Sequence, residues 1–258
     1  MKNETIKILR DPKSFEDIIL NKDKVIMNSL GEIYEIEQGI LKFIKESDVE
    51  GNNKKYLQLY DKIARFYNLA NKIYFLFKFG GEQNYRNQFL SELEIKPNDR
   101  VIEISVGTAD NFRFLPNDIE LFGLDISMGM LKQARRHLKK WGIEAELFQG
   151  MAEFLPFKDE SFDVVYHVGG INYFSDKEKA IHEMIRIAKC GSKIVIVDET
   201  EKLVKETYRK NPVTKKYYNN DSDVIAPIHV IPQDMKDIKY REICKGLMYC
   251  LTFRKPQP

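Results

Sequence analysis

From Arg100 onward the chain alternates strand-like and helix-like stretches. They run RVIEI, a helical segment near Asn111 to Leu115, LFGLDI, a helix from Met128 to Trp141, AELFQG, FDVVYHV, a helix from Lys177 to Lys189, and KIVIVDE. Parallel neighbours need a crossover of a dozen or more residues, and helices at this spacing supply it. The pattern implies βαβ units and an α/β, doubly wound, mostly parallel, Rossmann-like sheet with helices on both faces. The end of the chain differs, because KYREICKG and LMYCLTFRK are separated by almost nothing. Two strands so close form an antiparallel hairpin that finishes the sheet.

What precedes the alternation is organised differently. Residues 5 to 46 carry short apolar runs, IKIL, KVIM and EIYEIEQGILKFI, punctuated at Gly31 and Gly39. They read as strands of a small β-rich module over residues 1–46. Residues 47–98 hold apolar side chains at helical spacing (Leu59, Ile63, Phe66, Tyr67, Ala70, Ile73, Tyr74, Phe77), broken at Gly80 and Gly81, and read as a helical lid segment. The main domain then spans residues 99–258. The polar stretch 202–224 reads as a helix followed by a loop over the active face.

Composition narrows the function classes. Of 258 residues, 41 are basic and 39 acidic, so no global field favours nucleic acid or an anionic membrane as the default partner. Three cysteines without a CxxC pair suit a reducing compartment rather than a disulfide framework or a zinc site. The N-terminus has no apolar signal core, and no run approaches the ~20 apolar residues of a membrane span, so a cytoplasmic location is expected.

The chemistry lies at strand ends. VIEISVGTAD runs an apolar strand into Glu103 and a turn with Ser105, Gly107 and Ala109 where a dinucleotide fingerprint would hold three glycines. LFGLDIS ends in Asp125, 22 residues after Glu103. A carboxylate there can accept from both ribose hydroxyls, or it can cap the helix from Met128, a job Ser127 could do instead. Two basic clusters (Lys132, Arg135, Arg136, Lys139, Lys140; Arg209, Lys210, Lys215, Lys216) raise nucleic acid as a partner. A solvated helix face accounts for the first of them more simply.

VIEISVGTAD, LFGLDISMGMLKQA, GMAEFLPFKDESFDVVYHV and HEMIRIAKCGSKIVIVDE, in this order, resemble the successive motifs of class I S-adenosylmethionine-dependent methyltransferases, most closely the ubiquinone/menaquinone C-methyltransferase type. YDKIARFYNLANKIY is similar to the aromatic helical lid before the first motif of that group. The resemblance implies a methyltransferase that uses S-adenosyl-L-methionine and releases S-adenosyl-L-homocysteine, with a small-molecule or lipid-like acceptor. It places Glu103, Ser105 and Gly107 around the methionine portion of the cofactor, Asp125 on the ribose, and Ile126, Met151 and Ala152 beside the adenine. Tyr60 and Met130 join as cofactor contacts, and His167 lies beside the reacting sulfonium. Met151 stands where the group usually has an aspartate, and Ser105 and Ala109 replace glycines. His167, then His229, are the expected general bases, and Gly169, Gly170, Asn172 and Tyr173 an expected substrate wall.

Residues 8 to 46 resemble the zinc-ribbon-like module associated with certain RNA and protein methyltransferases. The ligand positions read Asp11-Pro12-Lys13-Ser14 and Asn28-Ser29-Leu30-Gly31, before Glu37-Gln38-Gly39-Ile40, so every metal-binding cysteine is absent. That second likeness keeps an RNA or protein methyltransferase open as an alternative, and the altered glycine turn keeps open a non-catalytic binding domain.

Overall fold

The computed structural model describes residues 1–21, 26–64, 80–210 and 224–257. In chain order the elements are α1 (Asn3–Lys7), β1 (Ile18–Leu20), β2 (Ile26–Asn28), β3 (Ile33–Tyr34), β4 (Ile36–Glu37), β5 (Ile40–Lys42), a helix α2 described over 51–64, α3 (Glu82–Asn87), β6 (Arg100–Ile104) and β7 (Glu120–Asp125). There follow α4 (Met128–Trp141), β8 (Glu146–Gln149), β9 (Val164–Val168), α5 (Lys177–Ile187), β10 (Lys193–Glu199), the short α6 (Glu201–Leu203), β11 (Lys236–Ile243) and β12 (Met248–Arg254).

Among the described residues, one sheet has the order β11-β12-β10-β9-β6-β7-β8-β5-β4. Its centre is parallel, and β12 runs antiparallel to both β10 and β11, which is the expected terminal hairpin. Strands covered on both faces read as continuous apolar runs. Ile194 to Val197 are all fully buried, with Ile194 and Ile196 facing α5 and Val195 and Val197 facing the side of α3 and α4.

α4 has the expected boundaries, and the sequence explains both ends. The Ser127 hydroxyl accepts from Met130 N–H, and Gly142 takes the left-handed conformation (φ +68°) that stops the helix. Its buried stripe is Met130, Leu131, Ala134 and Leu138.

Other segments differ from expectation. IKIL lies at the end of a helix and the turn after it, because a four-residue apolar run serves a short helix as well as a strand; Ile6 and Leu9 still reach the core. The stretch from Asn111 is a 3-10 turn, Asp110–Phe114. α5 stops at Ile187 because Lys189 N–H is captured by the Phe162 carbonyl. Residues 1–46 divide between two sheets: β1, β2 and β3 form a small antiparallel sheet, while β5 adds to the large one in parallel with β8, Ile40 beside Leu147.

In that small sheet a buried polar cluster stands at the cysteine-less turns. Asp11 Oδ1 accepts from the N–H groups of Lys13 (2.7 Å) and Ser14 (2.6 Å). Asn28 Oδ1 accepts from those of Leu30 (3.1 Å) and Glu32 (2.9 Å). The Asn28 amide (3.1 Å) and the Tyr34 hydroxyl both donate to Asp11 Oδ2 and so join the two turns. Cys190, Cys244 and Cys250 form no disulfide.

Candidate active site

β6, β7, β8, β9 and β10 present their carboxyl ends to one edge of the large sheet, where open α/β sheets bind ligands. The loop after β6 is unusual: Ser105 (φ +60°), Gly107 (+55°) and Ala109 (+61°) are all left-handed. The two residues that replace glycines therefore keep the glycine conformation, although a side chain there is strained by about 1–2 kcal/mol. A Cβ built on Gly107 meets nothing within 4 Å, so the turn borders open space.

Asp125 closes this turn. Its Oδ2 accepts from Gly107 N–H (2.8 Å) and its Oδ1 from Ser127 N–H (2.9 Å), which ties the loop after β6 to the start of α4. Burial pushes the carboxyl up to about 6 against the pull of these bonds. Glu103, almost wholly enclosed, accepts from Asn111 Nδ2 (2.5 Å) and the Tyr166 hydroxyl (2.8 Å). Its burial pushes it further, to about 8, although the Arg86 guanidinium, which donates to Asn111 Oδ1, opposes the shift.

α2 lies over this edge and is held at both ends. Asn53 donates to Glu153 Oε1 (2.9 Å) and exchanges two bonds with Ser175. Near the other end, Asp61 Oδ1 accepts from the Ser127 hydroxyl and from Gly129 N–H (2.8 Å). Gly129 is required by this approach: a Cβ there would stand 2.8 Å from Asp61 Oδ1 and 3.1 Å from Asp61 Cα. Between the anchors the Tyr56 ring packs on Tyr173 (centroids 4.9 Å) and near Tyr60 (6.4 Å). Phe66, Tyr67 and Tyr74, expected mainly to pack within the helical segment, lie outside the described residues.

Ile126 and Met151 are half-buried and pack together against Ile44, Val49 and Leu57, so the segment leading into α2 covers the apolar side of the edge. Ala152 and Met130 are buried. Beside them the Gln149 amide donates to the Ile126 carbonyl (3.1 Å), while its Oε1 is buried without a partner. His167 is fully enclosed. Its Nδ1 is 2.9 Å from the Ile104 carbonyl, its ring edge meets Phe174, and burial holds it below the ordinary imidazole value, with Asp198 opposing. His229 sits on an exposed 3-10 turn, Pro227–Val230.

Sequence reasoning missed Asn53, Tyr56, Asp61 and the acid pair that ends β10. Asp198 is fully buried and accepts from four groups; Glu199 Oε1 accepts from the Tyr208 hydroxyl (3.0 Å). The tandem acids closing KIVIVDE were the available signal. The basic stretch on α4 is engaged within the protein rather than solvated at its centre. Arg135 donates to the Gly39 and Ala145 carbonyls, and Lys132 pairs with Glu37 (2.5 Å). Lys215 and Lys216 lie outside the described residues. A cavity of about 1130 Å³, lined by Lys2, Phe112, Trp141, Glu144 and others, lies where β7 and β8 begin, away from Asp125. Among the described residues no cluster of three His, Cys, Asp or Glu could hold a metal, and no helix is long and apolar enough to cross a membrane.

This edge therefore combines an open turn at Gly107, a carboxylate at its rim, the apolar side chains of Ile126 and Met151 and the unpartnered Gln149 oxygen.

The chain has relatives among known proteins. The sequence model of the ubiE/COQ5 methyltransferase family matches residues 48–240. A demethylmenaquinone methyltransferase of Thermotoga maritima is 34% identical over 153 residues, covering 57% of this chain and 63% of that protein, under two thirds of its length. A ubiquinone/menaquinone biosynthesis C-methyltransferase UbiE of Stenotrophomonas maltophilia is 30% identical over 192 residues, covering 68% and 75%. Among solved structures, an S-adenosyl-L-methionine-dependent methyltransferase of Methanococcus maripaludis superposes with a TM-score of 0.57 at 19% identity, covering 82% of this chain and 97% of that one, which is a likeness of fold.

Proposed function

The chain belongs to the ubiE/COQ5 methyltransferase family, and from that premise we propose that it transfers the methyl group of S-adenosylmethionine to a carbon of a small, lipid-like, hydroxylated aromatic acceptor. The observation that carries this reading is the Asp125 carboxylate, held by Gly107 and Ser127 N–H groups at the rim of the open turn and roofed by α2. A carboxylate so placed suits a ribose diol. We assign Glu103, Ser105 and Gly107 to the methionine end, and Ile126, Met130, Met151 and Ala152 to the adenine side. Gln149 Oε1 and backbone groups replace the aspartate that Met151 displaced. Tyr60 and Tyr56 belong to the roof.

The cofactor supplies an electrophilic methyl group on a sulfonium, so few catalytic side chains are needed. What remains for the protein is alignment and exclusion of water. The two anchors of α2 serve both, and the relatives' activity on quinone precursors suggests the acceptor class. The enclosed His167 is better suited to shaping the end of β9 than to reaching an acceptor.

Calorimetry with S-adenosylhomocysteine tests the reading. Asp125→Ala should weaken binding by ~10- to 150-fold, the ~1.5–3 kcal/mol of hydrogen bonds to a charged group. No binding by the wild-type protein at millimolar ligand would overturn it.

For residues 1–46 we infer a ribbon held without metal. The Asp11 carboxylate and the Asn28 amide collect the turn N–H groups and are bonded to each other where a metal would otherwise join the turns.

A further inference from the structure

The two carboxyl groups at the end of β10 are held very differently. Asp198 accepts from the N–H groups of Gly170 (3.0 Å), Asn172 (3.1 Å) and Glu199 (2.8 Å) and from the Asn172 amide (2.9 Å), which fills its accepting capacity and fixes the loop after β9. Glu199 accepts from Tyr208 at one oxygen and lies within hydrogen-bonding reach of the Asp198 carboxyl, while its buried Oε2 receives no N–H or O–H from a neighbouring side chain or the backbone. Two further atoms nearby lack a partner, Asn172 Oδ1 in the loop after β9 and Nε2 of the fully enclosed His167 on β9, while the hydroxyl of Tyr249 on β12, a residue only 1% exposed, has the Asn172 side chain beside it. Buried polar atoms without partners are rare in native proteins, and three around one acid pair mark the place where a polar ligand would complete the bonding.

The groups facing Glu199 favour a proton-accepting role. On its own strand there is the Asp198 charge. From α2, α3 and β12 come Tyr56, Tyr85 and Tyr249, all kept neutral chiefly by burial, with Glu199 opposing ionisation of all three and Asp198 that of Tyr85 and Tyr249, and from the helical turn after α6 comes Tyr208. His167 on β9 faces Asp198 as a neutral ring. Burial and the adjacent Asp198 together raise Glu199 well above the usual carboxylate range, so its anion is a base far stronger than a surface glutamate.

We propose that Glu199 accepts the proton of an aromatic hydroxyl on the methyl acceptor, with Asp198 as its positioning residue and with Asn172 Oδ1 and the Tyr249 hydroxyl as contacts for the acceptor's oxygens. This rests on the methyltransferase reading above. The O–H bond breaks as the Glu199 Oε2–H bond forms. The electron pair left on oxygen moves through the ring to the carbon that attacks the methyl group, and the methyl–sulfur pair stays on the departing thioether. Glu199 then returns its proton to the oxygen as the ring carbon gives its own hydrogen to water. One proton per methyl reaches solvent, and the carboxylate is restored.

The test uses the full chain, S-adenosylmethionine and, as acceptor probe, a short-chain demethylmenaquinol kept reduced, with kcat and both KM values followed across about pH 6 to 10. S-adenosylhomocysteine titrations run in parallel. Glu199→Gln should bind S-adenosylhomocysteine within about threefold of wild type, lose kcat by at least ~100-fold and lose the rise of kcat with pH. Asp198→Asn, shown folded by the same titration, should move that rise to lower pH, a change that a merely structural role would not produce. A Glu199→Gln protein with kcat within about threefold of wild type, or with the rise intact, overturns the role of Glu199. An unmoved rise in Asp198→Asn overturns that of Asp198. If wild-type protein binds no S-adenosylhomocysteine, the methyltransferase reading fails and this inference fails with it.

Discussion

Glu103→Gln should make the protein more stable, and increasingly so as the pH rises. The folded carboxyl is enclosed at the end of β6 and keeps its proton to about 8, whereas an unfolded chain releases it near 4.5. The folded value is the higher one, so the stability associated with this group is full below about 4.5 and is lost as the pH climbs to about 8. Between those values folding must take up a proton, at about 1.4 kcal/mol per pH unit. From pH 6 to 9 only the two units below about 8 count, so wild type should lose ~2.7 kcal/mol that the glutamine variant keeps. For a chain of this size that is ~5–10 °C in Tm. Glutamine can still accept from Asn111, and it can turn the Tyr166 bond round by donating to the hydroxyl, so packing should survive. Thermal melts of both proteins at pH 6, 7, 8 and 9, followed by circular dichroism, supply the comparison. Asp125 titrates lower, near about 6, and is common to both, so the difference isolates Glu103. Parallel Tm curves for the two proteins would refute the claim that Glu103 is protonated in the native state.

S-adenosylhomocysteine binding should weaken as the pH falls through about 6, because protonated Asp125 loses accepting capacity toward a ribose diol; calorimetry from pH 5 to 7.5 checks this, and a flat affinity would argue against the contact. Gly129→Ala should cost ~1–3 kcal/mol by pressing on Asp61 and its backbone, and its effect should be non-additive with Asp61→Ala in a double-mutant cycle of Tm values. In the small N-terminal sheet, Tyr34→Phe should destabilise by ~1–3 kcal/mol, since Asp11 Oδ2 loses a buried donor, and a chelator should leave the wild-type Tm unchanged. A chelator-sensitive Tm would show that a metal does hold the two turns.

The local pattern of residues 100–258 carried most of the architecture. Apolar runs such as Ile194–Val197, a helix bounded by Ser127 and Gly142, and two strands without a crossover each leave few alternatives, because burial period, caps and connection length act over neighbouring residues. The position of Asp125 at the end of β7 was legible for the same reason, since a strand end and the helix after it lie within one stretch of chain. Ser105 and Ala109 show a limit. Their identities suggested an altered turn, and yet the surrounding sheet and α4 impose the left-handed backbone that glycine would adopt freely.

What the tertiary structure decided are contacts between residues far apart in sequence. Asp61 meets Ser127 and Gly129 across more than sixty positions, Asn53 meets Glu153 across a hundred, and Ile40 pairs beside Leu147 to draw the N-terminal segment into the large sheet. No periodicity encodes such meetings. They follow from which face of each element must be buried and from the polar groups left over once it is. The same holds for the buried acids at the strand ends. Glu103, Asp125 and Glu199 are ordinary carboxylates in the sequence, and the sheet edge that encloses them sets how tightly each holds a proton.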